Sequence, residues 1–290
     1  MALNRVTFRT RALTSLVFVA IMLLGLLWNQ WSFFILFSVI HFGCWVEYQK
    51  LVGLIDPRYQ TISSWHRYGV MLAGWCIMLA FTSDTYFIGH ISLKSVAYWL
   101  GLSILLGSII KIIIVRRINL KNISHSVLGL IYISLSLGLF VNMRVIYADD
   151  LESRISLILV LMIIASLWIN DTMAYLIGSW IGKTPLTKIS PKKTWEGTIG
   201  GIFMSILVMT IVGRVLSSEV DWNSILKWTG VAAICSIAGT LGDIFQSKLK
   251  RMAGVKDSGH IMPGHGGFLD RFDSLLFAAP LVWIFVKLFT

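Results

Sequence analysis

The chain has 290 residues, of which 56% are hydrophobic and 13% are charged, and its formal net charge is +11 at pH 7. A water-soluble domain is typically about one-quarter charged and could not bury this much apolar surface, so the composition excludes an ordinary globular protein and favours a polytopic membrane protein. We attribute the positive charge to Lys and Arg beside anionic lipid headgroups, and we predict no nucleic-acid partner.

Apolar segments long enough to cross ~30 Å of hydrocarbon recur along the chain. They predict an all-α polytopic integral membrane protein with about nine transmembrane helices, over 13–28, 31–48, 68–83, 96–115, 124–143, 155–181, 196–216, 225–246 and 273–289. The first resembles a signal peptide, but no A-x-A-like site follows it, so we predict a retained helix. We divide the chain into an N-terminal region of about five spans, 1–150, and a C-terminal catalytic region of about four, 151–290.

Cysteines and most histidines offer no sign of a metal site. The cysteines lie inside apolar segments without metal-ligand spacing, and we interpret them as small buried hydrophobic residues: Cys44, Cys76 and Cys235. Four histidines are isolated from one another and are interpreted as packed or interfacial: His41, His66, His90 and His125.

The distribution of Lys and Arg predicts a cytoplasmic N-terminus. With nine spans the two ends of the chain lie on opposite sides of the membrane. A cytoplasmic N-terminus places all but six of the 25 Lys and Arg residues on that side, the exceptions being Lys94, Arg144, Arg154, Arg214, Lys227 and Lys287. By the positive-inside rule the polar loops 182–195 and 247–272 then face the cytoplasm. We therefore predict a multi-pass protein of the cell inner membrane.

Two aspartates inside predicted spans are candidates for a functional site, because a charge within the membrane is costly. Asp171 lies about 16 residues into the sixth span and Asp243 about 18 residues into the eighth. At 1.5 Å per residue, both lie ~24–27 Å from the outer ends of their helices, just below the cytoplasmic boundary. Their similar depth favours one shared site over separate packing contacts.

Oxygen ligands at helical spacing predict a magnesium site. Asp243 and Ser247 are four residues apart and therefore share a helix face. Asp270 and Asp273 are three residues apart at the start of the last span. Magnesium is usually bound by one or two carboxylates together with phosphate oxygens and water. We expect these carboxylates to hold the metal.

Cations and glycines surround those aspartates along the sequence and predict phosphate binding. The cations are Lys248, Lys250, Arg251, Lys256 and Arg271. The glycine-rich stretch that contains His265, Gly266 and Gly267 allows backbone N–H groups to point at an anion, and Pro263 should keep it non-helical. Cations interleaved with carboxylates favour a phosphate–metal site over simple attraction to headgroups.

The other polar loop, 182–195, adds Lys192, Lys193 and Thr194. Its Gly-Lys-Thr is not a Walker motif, because residue 177, where the earlier glycine would stand, is isoleucine and no strand precedes it. Gly178/Gly182 and Gly197/Gly201 have the G-x-x-x-G spacing, which favours close helix packing over chemistry. Together the two loops predict a membrane enzyme that binds a metal, a polyphosphate and a phospholipid headgroup.

The same residues carry a resemblance to a known family, the phosphatidate cytidylyltransferases or CDP-diacylglycerol synthases. The family pattern S-x-apolar-K-R, K-D and H-G-G-apolar-x-D-R-apolar-D stands here as SKLKR at 247–251, KD at 256–257 and HGGFLDRFD at 265–273. The stretches ISPKKTWEG at 189–197 and DTMAY at 171–175 resemble two further family motifs. The resemblance is close from about 165 to 275, and before that only the hydropathy matches.

The resemblance implies a reaction in which CTP and phosphatidate give CDP-diacylglycerol and pyrophosphate, with two magnesium ions. It implies metal ligands at Asp243, Asp270 and Asp273, and further catalytic roles for Lys250, Arg251 and Arg271. Substrate contacts are implied for Asp171, Lys192, Lys193, Thr194, Ser247, Lys248, Lys256, His265, Gly266 and Gly267.

Two alternatives stay open beside this reaction. A CTP-dependent lipid-alcohol kinase would use similar residues to transfer the γ-phosphate. A cation-coupled transporter would place charges at the midplane of the membrane. The oligomeric state also stays open, with a homodimer among the alternatives.

Overall fold

The computed structural model describes residues 5–82, 86–115, 119–146, 153–216, 222–259 and 266–289. The chain divides into two compact units, and each is described by itself. Unit 1 comprises Met1–Val145 and Met252–Arg271, and unit 2 comprises Ile146–Arg251 and Phe272–Thr290. The predicted functional division at residue 150 stays a prediction.

The described residues of unit 1 form helices and one short β-hairpin. In chain order they are α1 (Arg5–Leu27), α2 (Gln30–Ile55), α3 (Pro57–Gln60), α4 (Ser64–Ala80), the antiparallel pair β1 (Phe87–Ile88) and β2 (Ile91–Ser92), α5 (Leu93–Val115), α6 (Leu120–Gly129), a π-helical turn (Leu130–Leu135) and α7 (Ser136–Met143). The π-helical turn continues α6 into α7, so that Leu120–Met143 forms one apolar span.

The break between α1 and α2 is fixed by a capping box. Asn29 Oδ1 accepts the Ser32 N–H at 2.8 Å, and Ser32 Oγ accepts the Asn29 N–H at 3.1 Å. These two bonds satisfy donors that the first turn of α2 would otherwise leave unpaired. The short polar interruption at Asn29 and Gln30 therefore ends one helix and begins the next, as the sequence predicts.

The core of unit 1 is aromatic on one side of α2 and polar at one point within it. Phe33 and Phe37 are fully buried with ring centroids 4.7 Å apart, and the Phe37 ring lies 4.8 Å from that of Phe140. Further along α2, the Ser134 hydroxyl lies 2.9 Å from His41 Nε2. His41 is thus a packed histidine of the core, in agreement with its interpretation from the sequence.

The described residues of unit 2 form four helical segments: α8 (Ser153–Ile181), α9 (Trp195–Leu216), α10 (Trp222–Met252) and most of α11 (Leu269–Phe289). The glycine-spaced faces of α8 and α9 pack closely, which confirms the prediction from their spacing. A Cβ at Gly197 would lie 2.6 Å from the Ala174 carbonyl oxygen, and one at Gly201 would lie 2.7 Å from that of Asn170. Only glycine allows these backbones to approach so closely.

Seven helices in the described residues are long and apolar enough to cross a membrane. They correspond to seven of the predicted spans, and the protein is an all-α polytopic membrane protein, as predicted. The other two predicted spans are also helical: α4 has 17 residues, and the apolar part of α1 covers Leu13–Leu27. All three cysteines are buried and lie outside any disulfide, which confirms their interpretation. The cytoplasmic position of the N-terminus stays a prediction.

Helix ends differ from the prediction at the polar segment. α10 continues to Met252, beyond the predicted end at 246, and α11 begins at Leu269 instead of 273. Lys248, Lys250 and Arg251 therefore lie on the last turns of a helix. Hydropathy marks where the hydrocarbon ends, whereas the backbone hydrogen bonds of a helix continue into the polar region.

Candidate active site

The polar face of α10 in unit 2 carries Asp243 and Ser247, as their spacing predicts. The Ser247 hydroxyl donates to Asp243 Oδ1 at 3.3 Å. The ammonium group of Lys193, from the loop 182–195, forms an ion pair with Asp243 Oδ2. Both partners of this pair are partly exposed, so the pair is open to solvent. The structure thus joins residues from the two polar loops around one carboxylate.

The position of Lys193 is set by a tightly bonded loop. Lys193 donates its N–H to the Ser190 carbonyl at 3.1 Å and accepts the Leu186 N–H at 2.7 Å. The Glu196 carboxylate accepts the N–H groups of Lys183 and Thr184 at 3.2 Å, which draws the two ends of the loop together. Glu196 therefore shapes the loop, a role that its place in the motif at 189–197 did not reveal.

Thr194 lies at the start of α9, where its hydroxyl oxygen accepts the Gly197 N–H at 3.2 Å. The same oxygen faces α8, since a Cβ at Gly178 would lie 3.0 Å from it. These contacts give Thr194 a structural role at the joint between α8 and α9. Its substrate contact stays a prediction, as does that of Lys192, whose side chain is exposed.

Asp273 is buried near the start of α11. It interacts electrostatically with Asp171, Asp243 and Lys250 of the same unit. Its main chain packs against α10, because a Cβ at Gly242 would lie 2.5 Å from the Asp273 carbonyl oxygen. Asp171 itself is exposed on α8. Asp171 and Asp243, which are predicted to lie at similar depth, thus both interact electrostatically with Asp273.

In unit 1, one carboxylate oxygen of Asp270 accepts three hydrogen bonds. Its Oδ2 accepts the Ser258 N–H at 2.8 Å, the Ser258 hydroxyl at 3.0 Å and the Gly267 N–H at 3.0 Å. Gly266 has φ +84°, and a Cβ there would lie 2.8 Å from Asp270 Oδ2. Glycine is therefore required for the backbone to wrap around this carboxylate. The Gly267 N–H, predicted to face phosphate, is directed at Asp270.

A buried glutamate of α2, Glu47, completes this part of unit 1 and is not among the site residues predicted from the sequence. Its Oε1 accepts the Phe268 N–H at 2.8 Å, and its Oε2 accepts the Leu269 N–H at 2.9 Å and the Ser258 hydroxyl at 2.6 Å. A signal was present, because Glu47 is a charged residue inside the second predicted span, 31–48. The cost of a charge within the membrane, which made Asp171 and Asp243 candidates, applies equally to Glu47.

Most of the other cations predicted for the site are exposed. Lys248, Arg251, Lys256 and Arg271 are exposed, and Lys250 is partly buried. His265 lies outside the described residues. The phosphate contacts of these residues stay predictions.

The donors present fit magnesium in kind, although they do not form a ready-made cage. In the ranges that the structure describes, no three His, Cys, Asp or Glu side chains are grouped so that they could hold a metal ion. Asp243 with its neighbouring Ser247 hydroxyl, and Asp270, offer hard oxygen ligands. Magnesium commonly takes only one or two carboxylates and completes its shell with phosphate oxygens and water, so each of these carboxylates is chemically suited to it.

Comparison with known proteins gives a consistent result over most of the chain. The model of the cytidylyltransferase family matches residues 9–289. Proteins named phosphatidate cytidylyltransferase are similar to the chain: that of Synechocystis sp. is 44% identical over 46% of this chain, that of Thermotoga maritima 38% over 58%, and that of Staphylococcus aureus 50% over 40%. The chain spans 44%, 60% and 44% of the lengths of these relatives, respectively.

Proposed function

Because the chain belongs to the cytidylyltransferase family, we propose that it is a phosphatidate cytidylyltransferase of phospholipid biosynthesis. It transfers CMP from CTP to phosphatidate and gives CDP-diacylglycerol and pyrophosphate. The observation that carries this proposal is the family match, which extends over both polar loops. The carboxylates Asp243 and Asp270, with Lys193 beside the first, supply the charges that such a reaction needs.

The reaction forms one bond and breaks one. A phosphate oxygen of phosphatidate attacks the α-phosphorus of CTP, and the bond from that phosphorus to the oxygen bridging it to the β-phosphorus breaks, so that pyrophosphate leaves in line. Little covalent help is required, and catalysis depends on alignment and neutralisation of charge. Lys193, Lys250, Arg251 and Arg271 supply positive charge for the phosphates.

Magnesium is the proposed cofactor, with two ions held by Asp243, Asp270 and Asp273. When bound, it neutralises the triphosphate and stabilises the charge that develops on the leaving pyrophosphate. Ser247 orients Asp243, while Ser258 and Gly267 orient Asp270 through their hydrogen bonds.

The oligomeric state is a separate question, and a homodimer is the alternative to a monomer. Light scattering of the detergent-solubilised protein decides between them.

The product of a labelling experiment tests the proposed reaction. Purified protein is incubated with phosphatidate, Mg²⁺ and CTP labelled in the cytosine ring, and the lipid is then extracted. We expect label in the lipid, one pyrophosphate per labelled molecule, and dependence on phosphatidate instead of diacylglycerol, because attack at the α-phosphorus transfers the whole cytidylyl group.

Two other outcomes would point to the alternatives. A lipid-alcohol kinase would transfer the γ-phosphate and leave all of the label in the aqueous phase as CDP. Absence of turnover with any lipid acceptor would favour the transporter. Either result would contradict the proposed function.

We propose that the protein spans the cell inner membrane and that its polar loops face the cytoplasm, where CTP is available. Cysteine substitution tests this orientation, since the native cysteines are buried. Lys188 lies exposed in the loop 182–195, and His90 lies exposed between β1 and β2. An impermeant thiol reagent should label His90→Cys in intact cells, but Lys188→Cys only after the inner face is opened. The reverse pattern would contradict both the orientation and the cytoplasmic active site.

A further inference from the structure

Glu47 is a carboxylate within a membrane-spanning helix whose described partners are all hydrogen-bond donors of one short segment. The side chain is 3% exposed. Its three partners are the Phe268 N–H, the Leu269 N–H and the Ser258 hydroxyl. A buried carboxylate is costly unless it is hydrogen-bonded, and bonds to a charged acceptor are about twice as strong as neutral ones. Glu47 therefore ties α2 firmly to the start of α11.

Close packing around Glu47 depends on glycine at the facing positions that the structure describes. A Cβ at Gly259 or at Gly267 would collide with the Glu47 carboxylate. One turn earlier on α2, a Cβ at Gly43 would collide with the ring of Phe268. Glycine at these three positions thus allows the Glu47 and Phe268 side chains to pack directly against the facing backbone.

Ser258 connects Glu47 to Asp270. Its hydroxyl oxygen lies 2.6 Å from Glu47 Oε2 and 3.0 Å from Asp270 Oδ2, so its single proton is shared between two carboxylates. The backbone on either side is shared too: the Gly267 N–H donates to Asp270, and the next N–H along the chain, that of Phe268, donates to Glu47. Displacement of Glu47 would therefore move the donors that orient Asp270.

We propose that Glu47 is a positioning residue, which holds the Asp270 carboxylate in the orientation needed to bind a divalent cation. The inference rests on the proposed function for the role of Asp270, and it adds a residue from a distant helix that touches neither substrate nor metal. Groups that orient a metal ligand typically contribute 10- to 100-fold to metal affinity or activity, which sets the size of the expected effect at roughly that range.

The test compares Glu47→Gln with a matched control, Gln49→Met. Glutamine keeps the size of the side chain but replaces one acceptor oxygen by an NH2 donor, which would face a donor. Gln49 is also a buried polar residue of α2, and its amide donates at 3.0 Å to the Arg67 carbonyl, which is not among the hydrogen-bond partners of Glu47. Gln49→Met therefore reports the general cost of losing one buried hydrogen bond in this helix.

Three measurements separate positioning from simple stabilisation. In Glu47→Gln we expect the amides of Ser258 and Gly267, which donate to Asp270, to exchange hydrogen faster together with those of Phe268 and Leu269. We expect Mn²⁺ alone, titrated by electron paramagnetic resonance, to bind at least about tenfold more weakly. The apparent KM for Mg²⁺ should rise similarly, with a smaller fall in kcat. Gln49→Met should lower the Tm and leave the exchange, the Mn²⁺ affinity and the KM unchanged.

Loss of kcat or Tm in Glu47→Gln with wild-type Mn²⁺ affinity and KM would overturn the proposal, because a merely structural role reduces the amount of active protein only. If Glu47→Gln fails to fold, Ser258→Ala replaces it, since this change removes only the shared hydroxyl. A smaller shift of Mn²⁺ affinity in the same direction is then expected, and wild-type affinity would overturn the proposal.

Failure of the inference is distinguishable from failure of the proposed function. Hydrogen exchange and Mn²⁺ binding are measured without CTP or lipid, so neither depends on which reaction the protein catalyses. Asp270→Asn serves as the reference for metal binding. If Asp270→Asn loses Mn²⁺ and Glu47→Gln does not, the role of Glu47 is wrong while the metal assignment stands. The labelling experiment alone decides the reaction.

Discussion

Asp243→Asn and Asp270→Asn are each expected to lower turnover by at least about two orders of magnitude while the protein stays folded in detergent. Asparagine preserves the shape of each side chain and removes its negative charge. At Asp243 the change also removes the ion pair with Lys193. At Asp270 it places an amide where three hydrogen-bond donors meet one oxygen. The measurement is the rate of lipid labelling from CTP at saturating Mg²⁺.

Asp56→Asn is the control for these variants. Asp56 ends α2, and its Oδ2 forms an ion pair with Lys121 at 3.0 Å. The hydrogen bond from Lys121 holds the pKa of the Asp56 carboxyl below its ordinary value, so this carboxyl is ionised at neutral pH. Loss of this ion pair in Asp56→Asn should lower the stability of the protein and leave its turnover close to that of the wild type. Near-normal turnover in Asp243→Asn or Asp270→Asn would refute the metal assignment.

Gly242→Ala is expected to lower turnover by about 100-fold and to destabilise the protein by about 1–3 kcal/mol. The added methyl group would lie 2.5 Å from the carbonyl oxygen of Asp273. Since that neighbour is backbone, it cannot rotate away, and α10 must move relative to α11. The change therefore displaces Asp243, one residue further along α10. Thermal unfolding and the CTP labelling rate measure the two effects.

Gly69→Ala is the matched control, because Gly69 also lies within a helix, α4, and, apart from its chain neighbours and the adjacent helix backbone, no heavy atom of the described residues lies within 4 Å of the position of its Cβ. Alanine is a better helix former than glycine, so this variant should be as stable as the wild type or more so. Wild-type turnover in Gly242→Ala would show that the spacing of α10 and α11 does not control the site.

The helices could be predicted from the sequence because each apolar segment must satisfy its own backbone in the membrane, which leaves the helix as its conformation. Only some of their ends could be predicted. The capping box at Asn29 and Ser32 is local and was visible as a polar interruption. The extension of α10 to Met252 and the π-helical turn at Leu130–Leu135 leave no mark in hydropathy, since polar helix ends and altered hydrogen-bond registers keep the same composition.

The candidate site was predictable where its residues are neighbours on one helix. Asp243 and Ser247 are bonded, as a spacing of four implies. Contacts between distant parts of the chain were not predictable from one sequence. Lys193 was identified as a cation, but its ion pair with Asp243 depends on the conformation of the loop 182–195, whose ends are joined by hydrogen bonds to Glu196. Glu47 lies 211 residues from Ser258, and no local pattern connects them.

The separation of Glu47 from its donors has a consequence for how the protein is made. The ribosome inserts α2 long before it synthesises Ser258, Phe268 and Leu269. With 211 residues between Glu47 and Ser258, and synthesis at about 5–20 residues per second, Glu47 waits roughly 10 to 40 s for its partners. During that interval the Glu47 carboxylate, in the C-terminal half of α2, is without the three donors that bind it in the finished protein. Completion of unit 1 is therefore a late event in biogenesis, and a chain whose synthesis stops before residue 258 keeps this carboxylate without the donors that bind it in the finished protein.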